Sequence, residues 1–123
     1  MSTIKADNVS NLAGSSTTSM NNVVNGSAKA WVNFNGTGTV AIRGSYNVSS
    51  ITDLGTAYYR VNFTNAMLDS NYATQGTSTY YAGVSNIGLV VINSPSTTSV
   101  ALSTIYSATQ GFDSPDVSVA VFR

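Results

Sequence analysis

The chain has 123 residues with only 8% charged, and its five Lys and Arg balance five Asp, with no His and no Cys. That length gives one domain that buries roughly two thirds of its unfolded surface, held without disulfides or thiolate chemistry. Five scattered cations make no basic stripe for nucleic acid, and the lack of Glu with little Leu and Lys argues against long helices.

Residues 1–27 carry Ile4, Val9, Leu12, Met20, Val23 and Val24 among Ser, Thr, Asn and Gly, with no sustained period. Six scattered apolar residues cannot close a core. The segment is therefore expected to be an extended N-terminal arm that orders on a neighbouring subunit or on a particle, with Met20, Val23 and Val24 as assembly contacts. Met1 to Leu12 has no apolar leader, and no window has the apolar length of a membrane span, so neither export by signal peptide nor membrane insertion is expected.

The period-2 signal is cleanest from Ala28 to Phe63. Ala30, Val32 and Phe34 fall on one side and Trp31 and Asn33 on the other, as in a strand with one dry face. Asn35-Gly36-Thr37-Gly38 predicts a hairpin turn. Val40, Ile42, Gly44, Tyr46 and Val48 then share a parity, which predicts one long strand bent at Gly44. Asp53-Leu54-Gly55 predicts a bulged turn, and Tyr59, Val61 and Phe63 point inward again. The result is a three-stranded meander.

Further on, Tyr72 to Tyr81 reads as a weak strand pair or loop, Val84 to Ile92 as a strand, and Asn93-Ser94-Pro95-Ser96 as a turn. Val100 to Tyr106 is a strand, Thr109 to Asp116 a loop, and Val117, Val119 and Val121 alternate in a last strand. Residues 28–123 are thus expected to form an all-β, antiparallel β-sandwich of about seven strands.

AKAWVNFNGTGTVAIR, followed by NVSSITD, VNFT and NYA, resembles a segment recurring in tail-fibre and related receptor-binding virion proteins of tailed phages, particularly those from aquatic bacteria. The likeness covers Ala28 to about Ala73. Two positions depart from it: Ala57 stands where a glycine is usual, and Leu68 where a proline is usual. The resemblance implies a place in a virion, a homotrimer, and a host-facing position. It brings no catalytic motif.

Chemistry has little to work with. Paired carboxylates would need two acids in one cleft, but each Asp sits in a predicted turn, where Asp bonds its own backbone. Asp113 and Asp116 offer too few oxygens for Ca²⁺, a Ser–His pair is impossible without His, and the NGTGT turn lacks the Lys and helix of a phosphate loop. No catalytic residue, metal or cofactor is expected, and the chain is read as a non-enzyme. Binding is better supported. There are seven Tyr, and Tyr58, Tyr80, Tyr81 and Tyr106 with Phe112 fall near loops, with the amides of Gln75, Asn86 and Gln110 as neighbours. Such a set can stack on a sugar ring and bond its hydroxyls. For any single Tyr the plainer reading, a favoured strand residue packing across the sheet, weighs more. Trp31, opposite the dry face, is expected at a subunit contact.

The reading is a tail-fibre-like virion protein without a signal peptide, assembled in the host cytoplasm. It attaches to other tail or baseplate proteins through its arm, forms a trimer and recognises a host cell-surface glycan. One rival is a capsid decoration or tail-assembly adaptor protein without receptor binding. Another is a polysaccharide depolymerase fragment with carboxylates clustered at a subunit interface.

Overall fold

The computed structural model describes residues 1–79 and 88–123. Residues 1–27 form a small unit of their own: β1 (Asn8–Ser10) and β2 (Thr17–Ser19) pair as an antiparallel hairpin, and α1 (Met20–Gly26) follows directly. Ser19 caps that helix, its hydroxyl accepting the Asn22 N–H at 3.2 Å. None of these residues is buried, so the unit is partly folded yet adds nothing to the core.

The remainder is all-β and antiparallel. Its strands are β3 (Ala28–Asn35), β4 (Ala41–Tyr46), β5 (Val48–Gly55), β6 (Tyr58–Phe63), β7 (Ala73–Ser78), β8 (Gly88–Pro95), β9 (Ser99–Ser107), β10 (Gln110–Gly111) and β11 (Val117–Phe122). Hydrogen bonding runs unbroken through β4-β3-β11-β7-β8-β9-β6-β5, with β10 added to β9. The two outermost strands, β4 and β5, are consecutive in the chain and separated by Asn47 alone. Laid flat at about 4.8 Å per strand, those edges would stand roughly 34 Å apart, whereas one residue spans less than about 4 Å. The sheet must therefore curl until its edges meet, and the result is nearly a closed barrel. The expected sandwich is met in its all-antiparallel character, while its facing layers are parts of one sheet.

Asn47 makes the corner. It holds φ at 54°, in the left-handed region that Asn tolerates better than most residues. Its side-chain amide donates to the carbonyls of Lys29 (3.0 Å) and Asn65 (3.1 Å), and its Oδ1 accepts the Asn65 N–H at 2.8 Å. The expected single strand is thus broken at Asn47, while the irregularity expected at Gly44 is met beside it, in a bulge at Arg43. A second correction follows from the β3–β4 register, which slips between Asn33 and Phe34, so that Gly44 lies opposite Asn33 and Ile42 opposite Phe34. The bulge at Arg43 puts Gly44 and Tyr46 on the outer face, and Tyr46 is exposed. Residues 93–95 also differ from expectation: they continue β8, and the turn follows Pro95.

The inner face is dry. Ala30, Val32 and Phe34 of β3, Tyr59, Val61 and Phe63 of β6, Val100 and Leu102 of β9, and Val117, Val119 and Val121 of β11 form one cluster. Phe34 and Tyr59 meet edge to face at 5.3 Å between ring centres.

The barrel has two unlike ends. At the base, Ala28 pairs with Phe122 and Phe122 with Ala73, beside the Asn47 corner. There Arg123 grips Asp69 with two hydrogen bonds of 2.9 and 2.6 Å, which holds the Asp69 carboxyl below its ordinary range. At the rim lie the β3–β4 and β5–β6 turns, the β9–β11 connection, the end of β7 and the start of β8.

Candidate functional site

The rim is organised by the loop that returns from β10 to β11. Ser114, fully buried, accepts the Thr79 N–H at 3.2 Å, and its one O–H lies within reach of the carbonyls of Thr79 (2.8 Å) and Asp116 (2.9 Å). Its own carbonyl accepts the Gly36 N–H at 2.8 Å. One loop therefore fastens the end of β7 and the β3–β4 turn and closes the barrel from within.

Asp113 fastens the third turn. Its Oδ1 accepts the Ala57 N–H at 2.8 Å and lies 2.9 Å from the Tyr59 hydroxyl, which is also 3.0 Å from the Gly36 carbonyl. Burial first, then the hydrogen bond to the Asp113 carboxylate, push the Tyr59 phenol well above its ordinary value. Ala57 holds φ at 67°, in the left-handed region that residues with a side chain seldom adopt. Gly111 makes room for it, since a β-carbon there would lie 2.5 Å from Cβ of Ala57.

On this frame stand the predicted ligand contacts. Tyr106, at the end of β9, meets Phe112 edge to face at 5.9 Å. Phe112 is fixed by its backbone: its N–H donates to the Thr104 carbonyl at 3.1 Å, and its carbonyl accepts the Thr104 hydroxyl. Gln110, exposed in β10, is paired with Ser107. Tyr58 is paired with Ser103 on the outer face, with parity opposite to Tyr59. The structure thus brings Tyr106, Gln110 and Phe112 into one strand-and-loop unit and leaves Tyr58 on the neighbouring wall. Tyr80, Tyr81 and Asn86 fall in the β7–β8 connection, outside the described residues.

Of the assembly residues, Val23 and Val24 are exposed on α1 and Met20 is half-buried. Trp31 is 44% exposed on the outer face, as its parity requires. Sequence reasoning missed Ser114 and the reach of Asp113. Asp53 and Asp69 do bond their own turns, at the N–H groups of Gly55 (2.9 Å) and Asn71 (2.8 Å). Asp113 instead bonds a turn 56 residues away, and no local signal carries such a distance. Asp116 turns outward to Asn33, at 2.6 Å, and Arg43, at 3.4 Å. Among the described residues no three His, Cys, Asp or Glu side chains gather, and no helix is long and apolar enough to cross a membrane.

The rim therefore presents the Tyr106 and Phe112 rings and the Gln110 amide on a fastened frame. Compared with family models, curated proteins and solved structures, the chain matches none.

Proposed function

We propose that this chain is a phage virion structural protein of tail-fibre type, anchored through residues 1–27 and reading a host-surface glycan with its rim. The polarity of the barrel carries this reading. Residues 1–27 join at the base, where β3 begins, whereas the β9–β11 connection and the strand ends Ser78 and Gly88 lie at the opposite end. An anchor and a reader need that separation. The exposed side chains of Ile4, Leu12, Val23 and Val24 supply apolar surface that one copy leaves in water. Three copies joined there would bury it and present three weak sites together, which raises avidity without new contacts. The resemblance of residues 28–73 to tail-fibre segments points the same way.

The test is binding of the labelled full chain to an array of neutral bacterial-surface glycans. Saturable binding that Tyr106→Ala or Phe112→Ala weakens about tenfold, equivalent to ~1.4 kcal/mol, is the expected result. Binding untouched by either change would remove the rim from the reading. A chain that binds its particle but no glycan would instead be a decoration or adaptor protein.

A further inference from the structure

The outer face of the barrel holds a groove that the rim does not use. Its floor is β11, whose alternation Val117, Ser118, Val119, Ala120, Val121 sends valines into the core and leaves only Ser118 and Ala120 outside. The neighbouring strands carry longer side chains in the same two rows. Trp31, Ala120 and Gln75 lie side by side across β3, β11 and β7, and Asn33, Ser118 and Thr77 form the next row. Small residues between large ones leave a groove of about 350 Å³, at the lower end of the range for clefts that hold a small ligand.

Trp31 is its principal wall. The indole lies over Gly44 of β4, where a β-carbon would stand 3.5 Å from Cζ3 and 3.6 Å from Cη2 of the ring. With no side chain at Gly44, the ring rests against the strand backbone and still leaves 44% of the residue in water. Tyr46, 59% exposed, is its direct cross-strand partner. Tyr46 thus stands one strand outside the groove, and within it Trp31 faces exposed Gln75 across Ala120, with Thr77 in the next row.

The groove's charge decides what it takes. Among the described residues no charged side chain lines it. The nearest ions, Arg43 and Asp116, face each other at 3.4 Å, and the Arg43 guanidinium also donates to the Pro115 carbonyl at 2.6 Å. Asn33 closes that end, its amide donating to Asp116 at 2.6 Å and to the Ser118 hydroxyl at 2.9 Å. A charged ligand would find no counter-ion here. A second copy fits poorly as well, because a stable interface buries about 800 Å² per partner around a mostly apolar centre, whereas this centre is a serine and an alanine beside a solvated ion pair.

We infer that the Trp31 groove is a second binding site, for an uncharged oligosaccharide whose C–H face stacks on the indole while Gln75, Thr77 and Ser118 bond its hydroxyls. This gives Trp31 a ligand in place of the subunit contact expected from its parity. The inference does not depend on the rim.

Trp31 is the single tryptophan, so its emission reports the groove directly. The full chain is titrated with cellobiose, maltotriose, lactose and chitobiose, then placed on a neutral-glycan array beside Trp31→Ala, Gln75→Ala and Tyr106→Ala. Native circular dichroism of each variant is required. The expected result is a saturable emission shift with at least one neutral sugar, and array binding weakened about tenfold by Trp31→Ala and severalfold by Gln75→Ala. Array binding lost in Tyr106→Ala but unchanged in Trp31→Ala would overturn the groove and leave the rim standing. The reverse would keep the groove and remove the rim. An emission that responds to no sugar, or that shifts with protein concentration as the mass rises, overturns the groove outright.

Discussion

Among the described residues Tyr59 is the largest side chain fully withdrawn from water, and its hydroxyl stands where three rim segments meet. Replacing it by Phe keeps the ring and its contact with Phe34 but takes the hydroxyl from the Asp113 carboxylate and the Gly36 carbonyl. Leaving such acceptors without their donor costs about 1–3 kcal/mol, so Tyr59→Phe should lower the melting temperature without changing the fold. The pH dependence has a definite sign. The folded phenol keeps its proton above the ordinary value, while the unfolded phenol ionises near 10. The resulting stability is complete below about pH 10 and is lost as pH rises beyond it. Thermal melts between pH 9 and 11 should show wild type falling more steeply than Tyr59→Phe. Equal slopes would mean that Tyr59 has no such role.

Among the elements, the bent β4–β5 strand decides whether the sheet can close. Asn47→Ala forces a Cβ without polar atoms into the left-handed region and removes three hydrogen bonds, a loss of about 2–4 kcal/mol. Asn47→Gly keeps the backbone freedom and should lose about half as much. Denaturation midpoints of the two variants check that order; Gly proving the worse would shift the weight from conformation to the side chain. This strand also shows what a sequence can and cannot declare. The alternations in β3, β6 and β11 were legible because each runs straight against one core. Those of Ile42, Gly44 and Tyr46 misled, because a bulge set by the β3 register flips parity without leaving a mark in composition. At the rim, aromatic residues near loops were readable as candidates, and Tyr106 does meet Phe112. The partners that fix them, Asp113 to Ala57 and Ser114 to Thr79, are long-range and were not. The Trp31 groove had a faint signal in the valines alternating with Ser118 and Ala120, whose meaning required knowing that β11 lies between β3 and β7.

For the whole molecule, the separation of base and rim makes a prediction about mass. Residues 1–27 contribute no buried side chain, so a chain lacking them should melt as the full chain does, to within about 0.5 kcal/mol. If that unit joins the copies, light scattering will give a trimer for the full chain and a folded monomer for the shortened one. A full chain that is itself monomeric would end the self-assembling reading and favour the adaptor.

The pairing of Ala28 with Phe122 has a consequence for how the chain can be reconnected. Entry and exit of the barrel are hydrogen-bonded neighbours, about a strand's width apart. By the same geometry, a short link between residues 123 and 28 and a new opening at Gly38 should yield a circular permutant that still folds.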